Sequence, residues 1–263
     1  MACSTHKHYH DEEFDPKLLH ETHFSHGNVP TIEEATVYPV RILHEWFSSG
    51  KVKGDTLLDI SIGGSVYQLI SASNCFKEVH VMNFTDRNID HFKKWLQKEE
   101  DATDWSFVFQ KVCEIEGNSD KWQEKEKQVK KTIKRVIKWE NFENSSVPPK
   151  LLPEVDCVLS LWQLNIVSKT KEDYQRNLKK FTCSLKPGGQ LMLFSAVNMS
   201  HYMLGKQKFF ILSVDRDFIR ESVTNAGFVI EKEDYLSTKV TTDIVDYDGL
   251  LCILACKQSE CPT

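Results

Sequence analysis

The residues with most chemical content lie between Thr56 and Asp86. Thr56-Leu57-Leu58-Asp59-Ile60 is a short apolar run of β type that opens into Ser61-Ile62-Gly63-Gly64-Ser65, and helical spacing begins at Val66. A strand ending in an acid, a glycine-containing turn and a helix start together make a receptor for a polar or anionic cofactor, because backbone N–H groups converge there. The spacing is not GxGxxG, so the dinucleotide fingerprint of a nicotinamide-dependent oxidoreductase is missing. Further on, Glu78 to Met82 reads as a second strand that delivers the polar run Asn83-Phe84-Thr85-Asp86 to its tip.

The other reactive residue types carry less. There are eight cysteines and no CxxC, and in a reducing compartment such cysteines behave as small buried hydrophobes. His6, His8 and His10 alternate, and His20, His23 and His26 follow a rough helical step. Either group could bind a transition metal on a fixed backbone. A solvated tail followed by a helix accounts for both without one, so no metal site is assigned.

These residues need elements to hold them. Asp15-Pro16 opens a helix over Lys17 to Phe24, with Asp as cap and Pro in the first turn. Thr31 and Glu34 have capping-box spacing before a second helix that runs to about Phe47. A helix after Asp86 turns Ile89, Phe92, Trp95 and Leu96 inward. In the charged stretch 101–138, Val129, Ile133, Val136 and Ile137 mark an amphipathic helix or one merging into a strand, and 141–153 reads as a loop. Val155 to Ser160 is a buried strand. Glu172 to Leu185 is a helix ended by Lys186-Pro187-Gly188-Gly189, and Gln190 to Val197 is the next strand. A helix over Asp215 to Ala226, then strands Phe228 to Leu236 and Leu250 to Lys257, complete an alternation that predicts a parallel α/β sheet.

Composition narrows the function classes. The 263 residues are 40% apolar and 27% charged, enough for one large core without staples. The net charge of −5 gives no basic field for nucleic acid or an anionic membrane. The first residues lack the apolar stretch of a secretory signal, and no run approaches a membrane span. The expectation is a soluble, cytoplasmic monomer: a flexible tail over 1–13, then a single domain over 14–263 with a helical cap at about 14–50.

Order and spacing together resemble S-adenosylmethionine-dependent methyltransferases. The segments Phe14-Asp15-Pro16, Tyr67-Gln68-Leu69, Phe84-Thr85-Asp86-Arg87-Asn88, Glu116-Gly117-Asn118-Ser119, Leu185-Lys186-Pro187-Gly188-Gly189 and Asn225-Ala226-Gly227-Phe228 sharpen this. They resemble the small-molecule methyltransferases of nicotinamide, indolethylamine and phenylethanolamine over nearly the whole chain, with the indolethylamine enzymes most similar. The resemblance implies a seven-stranded Rossmann-like sheet, mostly parallel with an antiparallel last strand, and S-adenosylmethionine as cofactor. It also implies site residues. Ser61, Ile62 and Gly63 would wrap the cofactor's amino-acid end, with Tyr67 near its carboxylate. Asn83 would lie at the ribose hydroxyls with Asn88 beyond, Glu140 and Asn141 at the adenine, Leu161 at the tip of strand four, and Phe24 closing the pocket.

Departures from the family pattern shape the expected acceptor. Ser61 stands where the family has a glycine, which predicts backbone strain of about 1–3 kcal/mol if that position needs positive φ. Asn83 replaces a ribose-binding acid and Leu19 a tyrosine. Asn165 and Ser195 replace acids near the substrate, and Tyr202 completes the expected substrate contacts. With those acids gone, neutral aromatic or soft acceptors are expected over cationic amines. The reading is methyl transfer to the nitrogen, or thioether sulfur, of a small amine, indole or pyridine. The alternative is a small-molecule-binding paralogue of feeble activity.

Overall fold

The computed structural model describes residues 14–24, 32–139 and 154–258. The tail 1–13, Thr31, Glu140, Asn141 and the loop expected over 141–153 lie outside them.

Seven strands form the central sheet: β1 Thr56–Asp59, β2 Glu78–Asn83, β3 Ile133–Lys138, β4 Val155–Leu161, β5 Leu185–Val197, β8 Phe228–Thr241 and β9 Asp246–Lys257. Their spatial order is β3-β2-β1-β4-β5-β9-β8. The pairs from β3 to β5 are parallel, and β9 runs antiparallel to both β5 and β8, as expected for the last strand of the chain. A two-stranded hairpin, β6 His201–Leu204 and β7 Gln207–Phe210, stands apart from the sheet and was not expected from sequence.

The sheet is buried on both faces, which is why its strands read as continuous apolar runs. Successive residues alternate between two cores. Leu57, Cys157, Leu159, Met192, Phe194, Cys252 and Leu254 face one. Leu58, Val158, Leu191, Leu193, Leu251 and Ile253 face the other. The first core is covered by helices α2 Tyr38–Ser48, α3 Tyr67–Ala72, α4 Asp86–Gln97 and α5 Ser106–Ile115. The second is covered by α7 Gln163–Val167, α8 Lys171–Phe181 and α9 Arg216–Asn225. Helix α1, Pro16–His23, starts as predicted, with the Asp15 carboxylate accepting from the Lys17 and Leu18 amides. Among the described residues no helix is long and apolar enough to cross a membrane.

The stretch read as a helix or one merging into a strand takes the second form: helix α6, Trp122–Thr132, passes directly into β3, with Val129 on the helix and Ile133, Val136 and Ile137 on the strand. Other expectations are corrected. Helix α8 ends at Phe181, once the buried repeat Tyr174, Leu178, Phe181 is exhausted. Leu185 already belongs to β5. Residues 186–189 form an irregularity inside that strand, its register stepping from Val155 opposite Leu185 to Cys157 opposite Gln190. The capping-box expectation rests on Thr31, which lies outside the described residues, and on Glu34. Its carboxylate accepts from Thr238 Oγ1 at 3.1 Å and Tyr247 Oη at 2.7 Å, and it lies in a wide π-type turn, Glu33–Val37, that leads into α2.

Candidate active site

The parallel strands bring Asp59, Asn83 and Leu161 to one edge of the sheet, at the carboxyl ends of β1, β2 and β4. Open α/β sheets bind ligands at this edge. Behind β1 the chain makes a short turn, Ile62–Gly64, in which Gly63 (φ 63°) and Gly64 (φ 72°) are left-handed. Ser61 is extended instead, at φ −104° and ψ 167°, so the predicted strain at that position is absent. Glycine is required two residues later than expected. A Cβ on Gly63 would lie 2.3 Å from Leu19 Cδ2 and 3.2 Å from the Phe14 ring.

The Ser61 side chain serves the protein rather than a ligand. Its hydroxyl donates to Asp59 at 2.6 Å and accepts from the Leu161 amide at 3.1 Å, tying β1 to β4. Gln68 Nε2 donates to the other Asp59 oxygen at 3.0 Å. Burial pushes the Asp59 carboxyl up to about 7, against the opposing pull of those two donors.

Asn83 is different. It is 1% exposed, and among the described residues neither its side-chain nitrogen nor its side-chain oxygen has a hydrogen-bond partner. A buried unsatisfied polar group costs about 1–3 kcal/mol. Such a cost is sensible where a ligand supplies the missing partners. A vicinal diol matches the group, because an amide can donate to one hydroxyl and accept from the other. Asn83 therefore fits the ribose of S-adenosylmethionine.

Next to this edge is a cavity of about 80 Å³. Phe24, Ile62, Asn165 and Tyr202, all expected at the site, line it, and so does Leu19. Phe24 packs on the rings of Tyr67 (5.3 Å) and Trp105 (5.9 Å). Ser195 does not line the cavity; its hydroxyl donates to Asn165 Oδ1 at 2.6 Å, and Asn165 Nδ2 donates to the Leu212 carbonyl at 3.1 Å. Tyr67 is also withdrawn. Its hydroxyl accepts from Trp162 Nε1 at 2.8 Å and donates to the Ala35 carbonyl at 3.4 Å. Burial raises that phenol further above its ordinary range. Asn88 is buried at the start of α4, where its backbone N–H donates to the capping hydroxyl of Thr85. Leu161 is sealed in the sheet.

Sequence reasoning missed His23, Trp162, Met199, Ile211, Val245 and Tyr247, which complete much of the lining. Trp162 is the most informative. It takes φ 65°, an uncommon conformation for a bulky residue, and is held by its indole bond to Tyr67 and its amide bond to the Phe194 carbonyl at 3.0 Å. The only sequence signal was its position directly after a buried strand. The hairpin and β9 residues come from distant parts of the chain, and nothing local marks them.

Sheet order, the glycine turn and the orphaned amide define a nucleoside-binding α/β fold of the S-adenosylmethionine-dependent methyltransferase type. Two solved structures share it. A methyltransferase of this class from Methanosarcina mazei aligns with a TM-score of 0.54 at 16% identity, over 81% of this chain and 97% of that one. Magnesium protoporphyrin IX methyltransferase from Synechocystis, solved with bound S-adenosylmethionine, gives 0.52 at 11% identity, over 93% and 98%. The chain belongs to the NNMT/PNMT/TEMT family, whose sequence profile matches residues 2–258. Relatives include indolethylamine N-methyltransferase of Oryctolagus cuniculus, 33% identical over 94% of both chains, and nicotinamide N-methyltransferase of Homo sapiens, 35% identical over 94% of both. Phenylethanolamine N-methyltransferase of Macaca mulatta is 29% identical over 91% of this chain and 87% of its own.

Proposed function

We propose that the protein moves a methyl group from S-adenosylmethionine to a nitrogen, or a thioether sulfur, of a small uncharged acceptor. The observation that carries this is Asn83: in a chain of this family, a buried amide with two unmet hydrogen bonds stands at the tip of β2. When bound, the cofactor supplies a sulfonium methyl group with its leaving group already attached, so the protein contributes proximity, alignment and exclusion of water. Asn83 takes the ribose hydroxyls. The Ile62–Gly64 turn takes the amino-acid end, with Asn88 behind it, and Glu140 and Asn141 border the adenine. Phe24 and Ile62 connect this region to the cavity, which receives the acceptor. Tyr67 acts by fixing Trp162 in the cavity wall, and Ser195 by fixing Asn165. We read the protein as a cytoplasmic monomer that binds no nucleic acid.

A thermal-shift titration with S-adenosylhomocysteine tests the cofactor part. At about 100 times its dissociation constant the ligand should add about 2.7 kcal/mol of stability. Absence of any shift at about 1 mM would overturn the reading, since it would put the dissociation constant beyond any useful range. Radiolabelled methyl transfer to pyridines, indolethylamines and thioethers then ranks acceptors, and preference for a primary alkylamine would contradict the uncharged class.

A further inference from the structure

The cavity carries a histidine whose role nothing above assigns. His23, at the end of α1, is 7% exposed and lines the cavity. Its Nε2 lies 2.9 Å from the Met203 carbonyl on β6. A carbonyl only accepts, so Nε2 carries the proton. Burial also lowers the pKa of the ring, which keeps it neutral and leaves Nδ1 with a bare lone pair. Among the described residues Nδ1 has no hydrogen-bond partner.

Three other polar groups of the lining are held by the protein. The Asn165 amide serves Ser195 and Leu212, the Tyr247 hydroxyl donates to Glu34, and the Trp162 indole donates to Tyr67. No charged side chain of the described residues lines the cavity. An alkylammonium ion would be buried there without a counter-ion, which is prohibitive. Aromatic walls (Phe24, Trp162, Tyr202 and Tyr247) instead suit a flat ring.

We propose that His23 recognises the acceptor, its Nδ1 taking a hydrogen bond from an N–H of an uncharged azole that carries a second, bare ring nitrogen. This names the acceptor class of the cavity and rests on the methyl-transfer reading. The bare nitrogen is the nucleophile. As it bonds the methyl carbon, the donor's carbon–sulfur bond breaks with its electron pair left on sulfur. The N–H proton passes to Nδ1 and on to water, so the product leaves neutral. The Met203 carbonyl supports the ring while it carries that proton. His23 is thus the proton acceptor of the site as well as its recognition group.

Benzimidazole and benzoxazole test this, because they differ only in N–H against ring oxygen. Their binding is measured by calorimetry both with about 1 mM S-adenosylhomocysteine and without it. Benzimidazole should bind about tenfold more tightly, the weight of one hydrogen bond. The ratio should fall to about one in His23→Phe and in His23→Gln, whose amide can reach Met203 but not the Nδ1 position. It should persist in His23→Asn, whose carbonyl oxygen overlies Nδ1. Equal binding of the two probes to the unaltered protein, or a tenfold ratio that survives His23→Phe, would overturn the proposal. If the variants fail to fold, the ¹⁵N resonance of Nδ1 in the unaltered protein decides: it must move with benzimidazole and stay with benzoxazole. Failure here is separable from failure of the methyl-transfer reading. A thermal shift with S-adenosylhomocysteine alongside equal probe binding removes only the role of His23. Discrimination between the probes without that shift removes only the cofactor.

Discussion

In the proposed site Asn83 trades stability for binding. Its side-chain amide is buried without partners among the described residues, so the free protein bears a penalty that a ribose would relieve. Asn83→Leu should therefore stabilise the free protein by about 1 kcal/mol while abolishing the thermal shift with S-adenosylhomocysteine. Asn83→Asp should do the reverse. A carboxylate restores a charge-assisted bond to the diol, tightening binding about tenfold, but leaves an unpaired buried charge when the site is empty. Parallel melting and titration of both variants checks the pair. A ligand-induced shift that persists in Asn83→Leu would remove Asn83 from the site. The identity of this residue was plain in the sequence, and so was its place at a strand tip. That both its amide atoms lack partners was not, because satisfaction depends on what every neighbouring element brings.

At the scale of elements, the turn after β1 is the instructive case. The sequence placed a glycine turn there but put the strain at Ser61, two residues early. The reason is that positive φ falls at Gly63 and Gly64, and Ser61 is free to spend its hydroxyl joining Asp59 to Leu161. Gly63→Ala combines a left-handed alanine, costing about 1–2 kcal/mol, with a Cβ driven against Leu19. The melting temperature should fall by about 2–4 °C per kcal/mol in a chain of this size, with weaker S-adenosylhomocysteine binding. Leu19→Ala removes the steric part, so the double variant should lose less stability than the sum of the singles, by about 0.5–3 kcal/mol. Strict additivity would mean that Leu19 and the turn are not coupled. The unexpected β6–β7 hairpin belongs to this scale too. Its Tyr202 and the Met203 carbonyl complete the cavity, yet four-residue strands leave little periodic signal.

For the whole molecule, burial on both faces of the sheet puts one acid under strong electrostatic strain. Asp59 has its carboxyl pushed up from 3.8 to about 7 by desolvation. The folded chain thus holds a proton across a range where the unfolded chain has lost it. The contribution of this group to stability is intact below about pH 4, declines as pH rises, and is gone above about pH 7. Urea unfolding across that range should show a decline of order a few kcal/mol attributable to this site, and Asp59→Asn should flatten it. An unchanged pH slope in the variant would mean the acid is ionised throughout. A similar long-range tie joins Glu34, from the N-terminal segment, to Thr238 and Tyr247 on β8 and β9. It closes the cavity wall by linking residues some 200 positions apart.

The sequence by itself determined the alternation of strand and helix, the family and which residues stand at the strand tips. Those features are local: hydrophobic period, glycine placement and short motifs are written within a few residues of one another. Only the tertiary structure decided what each side chain is free to do. It showed that Ser61, Tyr67 and Ser195 are engaged by the protein, that the Asn83 side chain has no partner among the described residues, and that the Met203 carbonyl holds His23 at a cavity lined from α1, α7, β5, β6 and β9. A hydrogen bond is settled by the partner that arrives from elsewhere in the fold, and no spacing along the chain records which partner that will be.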